Sequence, residues 1–234
     1  MEENSNLTAE RSLEIITKQL EQSRKAVSKT TGQSLYIAGL WTMGIAIFGV
    51  ILDLLVIPHG HGTDVDVIFW LVVPISIWLV MRKYQRCENA PTSLVGTLVL
   101  KTWTTFAIIT FVITLAGMIW NVIILIHSIS TDNIAAYLAH RAAIAPIFIL
   151  LMGMAVAISG YILKNKRLVR FGIIASLTIA VCNMVGIGQF IVARFVSSPE
   201  TMVRVTSIFP NLYILLFTVF GLTIPGYMLK KQSL

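Results

Sequence analysis

The chain has 234 residues, of which 56% are apolar and only 12% charged, with a mean hydropathy of +0.81. A soluble domain carries about 25% charged residues, so this composition excludes a water-soluble globule and indicates a polytopic membrane protein. The net charge of +7 and pI near 9.6 would suggest nucleic acid only if a basic stripe with interleaved aromatics were present. None is, so the charge is read as topology and as contact with anionic lipid.

The first 34 residues read as a cytoplasmic arm. Within it, residues 8–30 are expected to form an amphipathic helix, because Leu13, Ile16, Leu20 and Val27 share a face at helical spacing. Glu14–Lys18 and Glu21–Lys25 are i, i+4 pairs in the favourable orientation, and Thr8 is a candidate N-cap. Thr30, Thr31 and Gly32 are expected to interrupt this helix before the first span. Two uses compete for the arm. It lies on the inner leaflet or folds against its own bundle, or it docks a protein partner or a second copy. The stretch is too short to assert a coiled coil. The polar lead and the lack of a small-residue cleavage site predict an anchor rather than a removed signal peptide.

The run Glu10-Arg11-Ser12-Leu13-Glu14-Ile15-Ile16, followed by a short charged helix and a Trp-containing first span, resembles an uncharacterised family of small six-span bacterial membrane proteins. Some of these are encoded beside transcription regulators. The resemblance covers the first 50 or so residues plus the span count, and it implies no functional residue.

Residues 35–234 read as an all-α bundle of six transmembrane helices: Leu35–Ile57, Val67–Met81, Thr102–His127, Ala142–Leu163, Phe171–Val192 and Phe209–Leu229. About 20 helical residues cross about 30 Å of hydrocarbon, and only the second run, with Pro74 at its middle, falls short. It is kept because it places fifteen of the 18 basic residues on one side. These are Arg11 to Lys29 in the arm, Arg82, Lys83, Arg86 and Lys101, then Lys164, Lys166, Arg167 and Arg170, and finally Lys230 and Lys231. Only Arg141, Arg194 and Arg204 fall opposite. Basic loops stay cytoplasmic, so the expected location is a bacterial inner membrane with both termini inside. Tyr36, Trp78, Trp103, Tyr161 and Tyr227 are then assigned to the inner interface, and Trp70, Trp120 and Tyr213 to the outer one. Cys87 in a cytoplasmic loop and Cys182 at mid-membrane are not a disulfide pair.

Small residues mark helix contacts in lipid. Gly153 and Ala157 form such a row in the fourth span, and Gly172, Ser176 and Ala180, continuing to Asn183, in the fifth. Thr110, Thr114, Gly117 and Asn121 form a stripe along the third. Both stripes are expected to face the bundle interior. The fourth and sixth spans end alike, Gly160-Tyr161-Ile162-Leu163-Lys164 and Gly226-Tyr227-Met228-Leu229-Lys230. An inward-running span ordinarily ends with Tyr and Lys, and a duplicated hairpin is the alternative. Pro91, Pro146, Pro199 and Pro210 are placed mostly near helix starts, Asp132 and Ser198 as caps of short outer helices, with a bend at Pro210. Pro74 and Pro225 are expected to kink their spans.

Polar groups gather toward the outer side. Asp53, Asn121, Asn183, Gln189, Arg141 and Arg194 form the candidate outer polar pocket, with Asp53 expected to pair with Arg141 or Arg194. All four histidines (His59, His61, His127, His140) also lie there. His59 and His61, with Asp64 and Asp66, could ligate a divalent metal or respond to pH, but the spacing matches no metal signature and a tight loop suffices. No protease, phosphate-loop, dinucleotide or nucleophile-elbow motif occurs. The expectation is a non-enzymatic sensor, scaffold or modulator of a partner, without cofactor. A small transporter or channel with an outward polar pocket is the alternative, and a membrane enzyme of unfamiliar motif ranks third.

Overall fold

The computed structural model describes residues 2–56, 72–80, 82–83, 94–127, 133–196 and 199–232. Side chains are described for 10–52, 54–55, 72–80, 82–83, 94–117, 119, 145–192, 194–196 and 208–231. Every long element is helical: α1 (Glu2–Val56), α2 (residues 72–80), α3 (Leu94–His127), α4 (Asn133–Ile162), α5 (Lys166–Val185), α6 (Ile187–Ala193), α7 (Pro199–Phe217), a π-helical stretch (Thr218–Thr223) and α8 (Ile224–Gln232). Five described helices are long and apolar enough to cross a membrane, within α1, α3, α4, α5 and the α7–α8 unit.

The largest departure from the sequence reading is α1, a single helix of 55 residues, about 82 Å long at 1.5 Å per residue. Thr30, Thr31 and Gly32 do not break it. The Thr30 hydroxyl donates to the carbonyls of Ala26 and Val27, and Ser34 donates to Thr30 O at 2.8 Å. The hydroxyls of Thr30 and Ser34 are therefore satisfied within the helix instead of competing with it, whereas the buried Thr31 hydroxyl has no partner among the described residues. Gly32 is filled in by a neighbour, since a methyl there would meet Leu229 Cβ at 2.8 Å.

That contact belongs to one of two matching helix pairs. α8 packs along α1 and α4 along α5. A methyl on Gly160 would come within 2.8 Å of the Val169 backbone nitrogen, and one on Gly226 would strike the backbone of Tyr36 and Gly32. In both Gly-Tyr-x-Leu-Lys runs the Gly is buried against a neighbouring backbone. The Tyr is exposed (Tyr161, Tyr227) and the Leu is in the core (Leu163, Leu229). The echo in sequence therefore corresponds to one recurring local environment. On α5, Gly172 abuts Ala157 N and Gly153 O, and Ser176 fills the space beside Gly153. The small-residue rows of the fourth and fifth spans thus close on each other.

These contacts also align the ends. The α4–α5 turn exposes Lys164, Lys166, Arg167 and Arg170. Asn165 caps α5 there, its side chain accepting from the amides of Arg167 and Leu168 at 3.1 Å. At the other end of this unit the Gly188 amide donates to the Tyr213 hydroxyl at 3.0 Å, so the second half of α7 lies beside α6 and leads back along the bundle. Tyr227 then meets Tyr36, ring centroids 6.2 Å apart, and Lys230 lies 5.8 Å over the Tyr36 ring. The N-terminal half of α1, the α4–α5 turn and the end of α8 therefore share one end of the bundle, called here the basic end. α2 joins the bundle through buried Val73 and Ile77 and through Trp78, which donates to Thr104 at 3.2 Å.

Several single placements differ from expectation. Trp103 does not stand in a lipid-facing belt. It is fully buried, donates to Ser159 Oγ at 3.1 Å and meets Phe106 edge-on at 5.5 Å. An indole reaches such depth only when its N–H finds an acceptor, and Ser159 supplies one. Tyr213 is likewise buried rather than in a belt. Pro146 and Pro210 lie inside α4 and α7 rather than near helix starts. α7 opens at Pro199, where a first-turn proline costs nothing, and runs on through Pro210. Before Pro225 the irregularity takes the form of the π-helical stretch, with Ile224 N–H bonded to Val219 O. A proline two residues past such a wide turn removes a bond the turn has already shifted.

Candidate functional site

Both interior stripes face inward where their side chains are described: Thr110, Thr114 and Gly117 on α3, and Gly172, Ser176, Ala180 and Asn183 on α5. The hydroxyls of Thr110, Thr114 and Ser176 fold back onto their own helix carbonyls at 2.6–2.7 Å. They are satisfied locally and offer little to a ligand.

Asn183 is different. It is 4% exposed, and neither its Oδ1 nor its Nδ2 has a hydrogen-bond partner among the described residues. Three residues later α5 ends at Gly186, whose left-handed φ of 69° suits glycine. The Gly186 amide bonds to Asn183 O at 3.0 Å, and the chain restarts as α6. Gln189 turns its side chain back on this break, and its buried Oε1 also has no partner. Facing the break, α7 brings Phe209 against Gly188 and the Tyr213 hydroxyl onto the Gly188 amide, and it carries buried Asn211. The end of the bundle opposite the basic end thus holds an interrupted helix flanked by carboxamides. A buried amide left unmade costs about 1–3 kcal/mol, and such groups in folded proteins are met by water or by a polar guest.

Of the six residues assigned to an outer pocket, the described structure brings Asn183 and Gln189 to either side of one break. Arg194 is exposed, with its guanidinium 5.1 Å over the Phe190 ring. The side chains of Asp53, Asn121 and Arg141 lie outside the described residues, as does the pairing expected for Asp53. His59, His61, Asp64 and Asp66 also lie outside them. Among the described residues no three His, Cys, Asp or Glu side chains gather as a metal site.

Sequence reading missed Asn211 and the inward role of Tyr213. An Asn directly after Pro210 inside an apolar run was the available signal. Gly186-Ile187-Gly188 was the signal for the break, whereas the π-helical stretch has none. No family model, curated protein or solved structure matches the chain.

Proposed function

We propose that this is a six-span protein of a bacterial cytoplasmic membrane, with both termini cytoplasmic, that senses, scaffolds or modulates a protein partner through its arm and is not an enzyme. The observation carrying this reading is the arm's exposure on a continuous helix. Residues 10–22 are exposed on every side, Ser23 and Arg24 are half-buried, and the first core side chain is Val27. Leu13 is 65% and Ile16 56% exposed, with Leu20 beside them. A helix continuous with a membrane-crossing one cannot lie flat in the same leaflet, so this stripe meets water unless a partner covers it. Short helices are marginal alone in water; continuity with the first span supplies the nucleus, and a partner supplies the buried face. The clustering of Arg82, Lys83, Lys164–Arg170 and Lys230–Lys231 at the arm's end supports its cytoplasmic orientation. Treating α2 as the described part of a sixth span keeps Arg82 and Lys83 on that side.

Site-specific photocrosslinking in cells tests the reading. A crosslinker at Ile16 should give a discrete protein adduct, while one at Ile174, exposed on α5, should give lipid alone. Only lipid adducts at Ile16 would remove the arm from partner binding.

One observation favours the alternative, a small carrier or channel. The Asn183 carboxamide beside an interrupted span is the arrangement that polar-substrate carriers place in a membrane. In that case Asn183→Leu should abolish flux of a polar solute into proteoliposomes without unfolding the protein.

A further inference from the structure

A groove of about 400 Å³ runs along the outside of the bundle between α3 and α4, within the roughly 300–1,000 Å³ range of small-ligand sites. On α3 it extends from Leu98 to Ile109, and on α4 from Ile162 back to Leu151. Either way it spans eleven residue steps, about 16 Å of helix rise, or half of the roughly 30 Å hydrocarbon core. Its depth is therefore that of one leaflet.

Its walls are largely apolar, and among the described residues its only charged lining residue is Lys101. Lys101 lies near the basic end, since neighbouring Trp103 reaches Ser159 and Thr104 reaches Trp78. Ile162, at the same end of the groove, leads directly into the exposed Lys164, Lys166, Arg167 and Arg170. Among the described residues no acidic side chain lines the groove.

We infer that this groove holds one anionic phospholipid from the leaflet at the basic end. One acyl chain lies between Leu98–Ile109 and Leu151–Ile162, and the phosphate sits against the Lys101 ammonium. The length argues for a lipid over a second copy of the chain. A transmembrane helix would need a groove crossing both leaflets, whereas an acyl chain needs one. The charge argues for an anionic headgroup. A second apolar groove, on α1 around Trp41 and Gly44, has no charged lining residue and serves as the internal comparison. The inference rests on the membrane reading of the fold and is independent of the arm.

Native mass spectrometry of delipidated protein in neutral detergent tests it. The probes are phosphatidylglycerol and phosphatidylcholine of identical acyl chains, added in equal amounts. One phosphatidylglycerol should be retained in preference, and Lys101→Gln should lower that preference about fivefold, the effect of one basic residue near an anionic headgroup. Lys83→Gln, exposed at the same end but outside the groove, should change it less than twofold. Ile158→Trp fills the groove from an exposed position and should reduce retention of both lipids. A wild-type thermal midpoint that rises with phosphatidylglycerol and not with phosphatidylcholine would give the same answer without any variant. Equal retention of the two lipids, equal effects of Lys101→Gln and Lys83→Gln, no effect of Ile158→Trp, or displacement of lipid by protein dimerisation would each overturn the proposal.

Discussion

The two ends of the bundle differ in how their helices run. At the basic end α1 continues unbroken and neighbouring backbones close on Gly160 and Gly226; the buried hydroxyls of Thr30, Ser34 and Ser159 donate to carbonyls, while Ser23 Oγ, Thr31 Oγ1 and Arg24 Nε are buried without a partner among the described residues. At the opposite end α5 is interrupted at Gly186, and the buried side-chain amides of Asn183 and Gln189 have atoms without partners. Membrane helices associate through packing and hydrogen bonding, with no hydrophobic drive between them. Stability therefore concentrates where backbones approach.

The comparison breaks most readily at its tight end. Gly172→Leu would drive a side chain into Ala157 N and Gly153 O, each already 2.8 Å from a bare methyl. Neither obstacle can move without separating α4 from α5. The expected loss is about 3 kcal/mol or more, read as the midpoint of unfolding in mixed detergent micelles. A loss below about 1 kcal/mol would mean that the α4–α5 contact does not hold the bundle.

At the opposite end the sign should reverse. Asn183→Leu removes a buried amide without partners and keeps similar volume, so stability should rise by about 1–2 kcal/mol. If the variant is instead destabilised by more than about 1 kcal/mol, Asn183 has a partner beyond the described residues.

How much of this was legible follows from the kind of signal each feature leaves. The helical class came from composition. The small-residue rows of Gly153 and Ala157 and of Gly172 and Ser176 came from i, i+4 spacing, which is a property of single helices and survives folding; that the two rows close on each other did not. The basic end came from charge counting. What stayed hidden depends on contacts between distant residues. Trp103 resembles a belt residue until Ser159, 56 positions away, accepts its N–H. Thr30-Thr31-Gly32 resembles a helix break until Leu229 packs against Gly32. Asn183 and Gln189 could be named as polar and outer, but their lack of partners required the position of every neighbour. The side chain of Asp53, the residue singled out most strongly from sequence, lies outside the described residues.

A smaller effect should distinguish two hydroxyls that look alike in sequence. Ser159 accepts from the Trp103 indole of another helix, whereas the Ser176 hydroxyl donates only to the Gly172 and Ile173 carbonyls of its own. Ser159→Ala strands a buried N–H and should cost about 1 kcal/mol, the scale of interhelical hydrogen bonds in membranes. Ser176→Ala should be close to neutral. Equal costs would mean that the Trp103–Ser159 bond adds nothing to the tight end.

The smallest effect on stability is expected in the arm, which belongs to neither end's packing. Ile16 projects from a stretch of α1 exposed on all sides, eleven residues before the first core side chain at Val27. Ile16→Ser removes apolar surface that no described residue covers, so the unfolding midpoint of the purified protein should stay within about 0.5 kcal/mol of wild type. The same substitution should weaken capture of a protein partner, because Leu13, Ile16 and Leu20 form the one apolar stripe the arm offers. A docked apolar side chain contributes roughly 1.5–3 kcal/mol when fully buried, which corresponds to at least a tenfold drop in affinity. Lys18→Gln, on the same exposed stretch but off the stripe, is the control and should leave capture nearly intact. Loss of stability in Ile16→Ser would mean that the arm folds onto the bundle through residues outside those described, and the apolar stripe would then be internal packing. Unchanged stability with unchanged capture would leave the exposed stripe without a partner and shift the functional weight to the Asn183 end.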